Sequence, residues 1–267
     1  MCAMIALVLV WGCAEPPAAT AVSDSDLPEV NTPQIQPGLT PEEVGAVLSE
    51  QLGALPDPAQ PVAVYLELMA SGDGACPGDL YQILDTWLYG CDATTGYHYA
   101  GISQFFEEQT SVTGIMMDIQ GVKGDFWINT PAGDSFEIGG HAFIGEMEGG
   151  WGGRLEGSLD WSAGEPWLVS GFSGIYEVVF MADRFLQIDG AMDMEGVYIG
   201  LEALLLDASC GWGPTGTLRL RDLSGGWYAL PLTDCSPCGM LSFEGSEQGE
   251  VCLDLEPLRS AFGLVAQ

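Results

Sequence analysis

The sequence predicts a mainly β fold: a large antiparallel sheet, sandwich- or barrel-like, with a small N-terminal helical lobe. Two observations carry this. Apolar and polar residues alternate at 154–161, where Leu155, Gly157, Leu159 and Trp161 oppose Arg154, Glu156, Ser158 and Asp160. They alternate again at 217–222, where Leu218 and Leu220 oppose Thr217, Arg219 and Arg221. One apolar and one polar face per strand marks an antiparallel sheet with one side in water. The second observation is punctuation. The chain has 37 glycines and 16 prolines, and beyond residue 76 they cut it into the short runs of a sandwich or barrel. An apolar–any–Gly triplet recurs at Gly121, Gly140, Gly157, Gly171 and Gly190, at intervals of 14–19 residues. Glycines inside strands mark bends that let a broad sheet curl. Taken as a repeat unit, the same spacing makes a β-solenoid the alternative.

The chain opens MCAMIALVLVWGC, and Ala3 to Gly12 is uncharged and almost wholly apolar. A bilayer span needs roughly 20 residues, so this run suits the hydrophobic core of a secretory signal instead. Val10-Trp11-Gly12-Cys13 sits where a lipobox lies, and the stretch resembles a bacterial lipoprotein signal. The resemblance implies that residues 1–12 are a signal peptide and that Cys13 is acylated. It implies that the membrane is met through this lipid anchor, with Ala14 in place of Asp sorting the chain to an outer membrane or the cell surface. The alternative is ordinary cleavage beyond Ala19-Thr20-Ala21, leaving the chain periplasmic or secreted. Residues 13–39 are rich in Pro, Ala, Ser and acid. Lacking large apolar side chains, they cannot offset the entropy of folding and form a tether, reaching roughly 80 Å when extended.

Residues 40–75 are expected to form the helical lobe. Thr40 can cap a helix, Pro41 fits its first turn, and Glu42 and Glu43 face the positive end of its dipole. Val44, Val47 and Leu48 follow at helical spacing, and Gly53 can end the helix. Val62 to Met69 makes a second helix, stopped by the SGDG at 71–74. From 76 to 267 an all-β domain is expected. It starts with a hairpin of Trp87–Cys91, a turn at 92–96, and Tyr97-His98-Tyr99.

Charge is the compositional outlier. Six Lys plus Arg face 38 Asp plus Glu, for a net −32. Such a surface repels nucleic-acid phosphate and anionic lipid, so no nucleic-acid partner is expected and any membrane attachment is covalent. Beyond Cys2 and Cys13, six cysteines remain, an even set that in an exported chain reads as disulfides. A hairpin centred near Gly245 would set Cys238 across from Cys252, Cys76–Cys91 would close a local loop, and Cys210–Cys235 follows by elimination.

The other motifs are weighed against plainer roles. Cys235-Ser236-Pro237-Cys238 has the spacing of a zinc knuckle, with Cys210 and Cys252 as further thiols, or of a redox pair. Met240 to Phe243 looks like a strand, where redox chemistry wants a helix. Gly211-Trp212-Gly213-Pro214-Thr215-Gly216 matches a nucleotide loop in spacing but precedes a strand, so it reads as a turn. Acidic stretches at 73–79 and 189–195 lack the register of a calcium loop. His98 and His141 are the only histidines and fit no hydrolase motif; His98 reads as a satisfied, half-buried side chain. No catalytic, cofactor-binding or metal residue is assigned. The expected function is a non-catalytic binding, scaffold or envelope module, exported and lipid-anchored. The enzyme alternative is a secreted carbohydrate-active hydrolase. It would use paired carboxylates such as Glu156 with Asp160 or Asp193 with Glu195, and an aromatic cleft drawn from Trp151, Trp161, Trp167, Trp212 and Trp227.

Overall fold

Thr40 starts the first helix with a closed capping box: its side chain accepts from the Glu43 N–H, and the Glu43 carboxylate accepts from the Thr40 N–H. The computed structural model describes residues 36–73, 75–77, 85–161 and 171–264, with 85–89 as backbone. The signal stretch, Cys13, the tether to residue 35 and Trp167 lie outside the described residues. The first helix, α1 (Pro41–Gly53), is followed by α2 (Ala59–Ala70). The strands come next: β1 (Asp85–Asp92), β2 (His98–Val112), β3 (Ile115–Asn129), β4 (Ser135–Met147), β5 (Gly150–Trp161) and β6 (Phe172–Met181). They continue with β7 (Phe185–Met194), β8 (Val197–Asp207), β9 (Gly213–Arg221), β10 (Trp227–Leu232), β11 (Cys238–Phe243) and β12 (Ser246–Cys252). A short α3 (Glu256–Ala261) closes the described fold.

The strands form one 12-stranded sheet in chain order, a continuous antiparallel meander. A solenoid would stack successive coils in parallel, so the β-solenoid alternative is corrected: each strand pairs antiparallel with its neighbour in sequence. Among the described residues no ladder joins β1 to β12, so the sheet is curled but open.

The main core lies on one face. Val122 and Phe126 of β3, Ile138 of β4, Leu155 of β5, Leu220 of β9 and Leu241 of β11 share a cluster with Val44, Leu48 and Leu52 of α1 and Tyr65 and Leu68 of α2. The helices are thus a cover over this face, in one compact unit with the sheet (Ile35–Gln267). A row of small residues bends the sheet beneath α2: Ser103, Gly124, Gly140, Gly157 and Gly174 face one another across β2 to β6. Gly140 has φ +152°, and a Cβ there would run into the Glu156 carbonyl oxygen, so only glycine fits. Tyr65 drops from α2 onto this row. Its hydroxyl is 2.9 Å from Ser103 Oγ, and its ring lies edge-on to Phe126. Gly140 and Gly157 of the sequence triplets belong to the row, while Gly121 and Gly171 do not.

Past this row the buried face changes sides. In β3 the buried residues run Phe126 and Val122 on the helix face, then Gly121, Ile119 and Met117 on the other. In β4 the switch falls between Ala142 and Phe143, and in β6 between Val178 and Val179. The far end of the β2–β3 hairpin accordingly rolls toward the outer face, bringing β2 against β5 and β6. There Val112, Met117, Ile119, Phe143 and Val179 form a second, smaller cluster.

Three disulfides staple the fold: Cys76–Cys91, Cys210–Cys235 and Cys238–Cys252, the pairs expected from the sequence. Cys238 and Cys252 are direct cross-strand partners. The disulfides place the chain in an oxidising, exported compartment. No helix among the described residues is long and apolar enough to cross a membrane.

Candidate ligand cleft

The switch of buried face leaves the far halves of β2, β3 and β4 facing α2 with polar residues. Glu107, Gln109, Asp118, Gln120 and Glu146 occupy positions that strand alternation aims to the helix side, and all are exposed. The register sets them side by side: Glu107 opposes Gln120, Gln109 opposes Asp118, and Asp118 opposes Glu146. Gln109 donates to Asp118 Oδ1 at 3.2 Å. Across the gap, α2 presents Ala59, Val62, Ala63 and Leu66, and Ile144 adds an apolar patch on the sheet. The resulting cleft holds about 750 Å³, within the range typical of ligand sites.

Its electrostatics are one-sided. Asp118 and Glu146, like charges directly opposite each other, repel across the ladder, and no Lys, Arg or His is among the residues lining the cleft. Much of the chain's scarce positive charge is occupied elsewhere. On the outer face, Arg154 pairs with Glu156 and, at 2.8 Å, with Glu177, while Lys123 lies 5.0 Å from the Phe106 ring centre. His141 approaches Glu156 at 3.3 Å and stacks on Phe143. Burial, only partly opposed by Glu156, holds its pKa below the usual histidine value. Arg219 pairs with Glu202, Arg221 sits over Trp227, and Arg259 donates to the Trp212 carbonyl.

The residues singled out in the sequence lie away from this cleft. Glu156 is held by Arg154 and His141, and Asp160 faces Glu137 on β4. Asp193 accepts from the Gly196 N–H at 2.7 Å in the turn that contains Glu195. Trp151 stacks on Phe262 and Trp161 packs edge-on against Phe136. Trp212 is buried, and Trp227 meets Tyr198. These tryptophans pack within the protein. His98 is half-buried and bonded to Asp92 at 2.6 Å. Gly211 adopts a left-handed cap, and Gly213 to Gly216 already belong to β9. The turn reading therefore holds for Gly211-Trp212 alone, and the rest of the G-x-G-x-x-G segment is strand, with no helix directly after it.

The zinc-knuckle and redox readings of Cys235 and Cys238 are corrected by the pairing: each cysteine is bonded to a different partner, so the four thiolates a knuckle needs are tied up in two disulfides. In the first acidic stretch, Asp73 accepts N–H bonds from Thr94, Ala75 and Cys76. These, Thr94 foremost, bring its pKa down to about 2. In the second, Asp189 accepts from the Ala203 N–H and from Gln187. Among the described residues no cluster of three His, Cys, Asp or Glu side chains is arranged to hold a metal ion.

Sequence reasoning missed Glu107, Asp118 and Glu146. The available signal was a run of acids and amides at core-facing positions of strands that are apolar on that same face further along. The chain matches no protein-family model, no curated protein and no solved structure.

Proposed function

We propose that this chain is an exported, lipid-anchored binding module that engages its ligand in the cleft between α2 and β2–β4 without catalysing a reaction. The single observation that carries the reading is the character of that cleft. An aliphatic helix wall faces a carboxylate wall, and the lining has no Ser, Cys, His, Trp or Tyr side chain. Carbohydrate hydrolysis by two carboxylates calls for a raised acid beside a sugar platform. Among the described residues Trp151, Trp161, Trp212 and Trp227 pack elsewhere, and the exposed Trp127 of β3 is not part of the cleft lining. The disulfides support export, and the resemblance at Val10–Cys13 supports an anchor at Cys13 on an outer membrane or the cell surface.

Two measurements test this on the full chain. Intact mass of protein from the native host should show loss of residues 1–12 and acyl mass on Cys13, and Cys13→Ala should release the chain from membranes. Wild-type protein should leave a panel of oligosaccharides uncleaved. Cleavage that Asp118→Asn or Glu146→Gln abolishes would replace the module with the hydrolase.

A further inference from the structure

We infer that the cleft between α2 and β2–β4 receives a short, extended, basic segment of another protein, with alternate side chains aliphatic and cationic. The inference rests on the binding-module reading and names the class of its ligand. The walls differ in kind. Ala59, Ala63 and Leu66 of α2, over the buried Val62, offer an aliphatic stripe, while Glu107, Asp118 and Glu146 offer carboxylates on three adjacent strands with no cation among the lining residues. A strand sends successive side chains to opposite sides, so an extended segment laid between the walls would give one set to the helix and the other to the acids. The length also fits. A helix of 12 residues rises about 18 Å, which spans about five or six residues of extended chain.

Charge decides among the occupants. The chain's own tether carries Glu15, Asp24, Asp26 and Glu29 and no Lys or Arg, so the acid wall repels it. A second copy, at net −32, is repelled as a whole. A foreign cationic segment gains from both walls, and its ammonium groups relieve the repulsion between Asp118 and Glu146.

A chain this acidic attracts any polycation, so the test has to separate the cleft from the general field. The probe is a labelled synthetic hexapeptide alternating leucine and lysine, titrated with the full-length protein in detergent and followed by fluorescence anisotropy. Two triple variants of equal charge are compared. One is Glu107→Gln/Asp118→Asn/Glu146→Gln in the cleft; the other is Glu42→Gln/Glu247→Gln/Glu250→Gln, along the α1 flank and β12. All six residues are exposed, so both proteins should keep the wild-type circular dichroism. The cleft variant should bind on the order of tenfold more weakly, and the remote variant within about twofold of wild type. Leu66→Ala should weaken binding several-fold, because the helix wall contributes contact as well as the acids. Equal loss in both triple variants, or displacement of the peptide by an equal concentration of spermidine, would overturn the assignment. Failure of the peptide to bind would also remove the basic ligand, yet leave the module standing if anchoring holds and oligosaccharides stay intact. Oligosaccharide cleavage would remove the module itself.

Discussion

Helices α1 and α2 cover the same face of one sheet, and they do it differently. Helix α1 meets the sheet closely through Val251 of β12, although Glu250 and Asp254 flank the contact. Val251 comes so close that a Cβ on Gly45 would stand 2.8 Å from its Cγ1, and one on Gly53 would stand 2.5 Å from the Cβ of Pro257. Ser49 Oγ accepts from the Asp254 N–H at 3.0 Å, sewing the helix to the segment after β12. Under α2 the near side is just as closed, with Tyr65 and Leu68 buried, but the far side meets Glu107, Asp118 and Glu146. Two helices of similar length therefore leave a tighter flank, where a cleft of about 450 Å³ remains between α1 and β12, and a wider one of about 750 Å³ beside α2. The difference comes from the sheet, where inward positions turn from apolar to acidic once the buried face has changed sides.

The two flanks can be set against each other by mutation. Leu48→Ala, beneath α1, should cost about 2–5 kcal/mol in urea unfolding, because a fully enclosed leucine leaves a cavity. Leu66→Ala, beside the cleft, should cost less than about 1.5 kcal/mol, since water already reaches its surroundings. Equal losses would mean that the cleft is not open in solution. Next in size, replacing Cys238 and Cys252 by serine should lower stability by about 2–4 kcal/mol, by freeing the unfolded chain across the α1-covered hairpin.

A smaller effect concerns acid. Asp222 is buried, which by itself raises its pKa. The bonds it accepts from Ser224, the Gly38 N–H and the Tyr228 hydroxyl outweigh this and hold it below 3.8. With the folded value below the unfolded one, its contribution is complete above about pH 4 and is lost as pH falls through the folded value. Asp222→Asn should therefore lose less stability than wild type between pH 5 and pH 2, measured by urea midpoints. Smallest of all, the cleft triple variant should change stability by less than about 0.5 kcal/mol, in the stabilising direction, because it removes like-charge repulsion at exposed positions.

How far the sequence disclosed this fold follows the range of the interactions involved. The capping box at Thr40 and Glu43 is local, and so is the Cys238–Cys252 pairing once the turn at Gly245 sets the register of β11 and β12. The alternation at 154–161 and 217–222 was plain because each of those runs keeps its buried residues on one face. Strand β3 hides its role because it does not. Its buried set changes phase between Gly121 and Val122, so neither a period of two nor any other single period describes its 15 residues. The glycine row was half visible for the same reason. Gly124 and Gly174 meet Gly140 and Gly157 only through inter-strand register. The cleft lies furthest from view: its three acids come from three strands, and its other wall is a helix some 40 residues upstream of Glu107.

Amide hydrogen exchange of the full chain, with and without the leucine–lysine hexapeptide, asks directly where a ligand sits. The account expects added protection in Ala59–Ala70 and in the segments around Glu107, Asp118 and Glu146, with α1 and β12 unchanged. Protection spread along α1 and β12, or absent from α2 at saturating peptide, would contradict it.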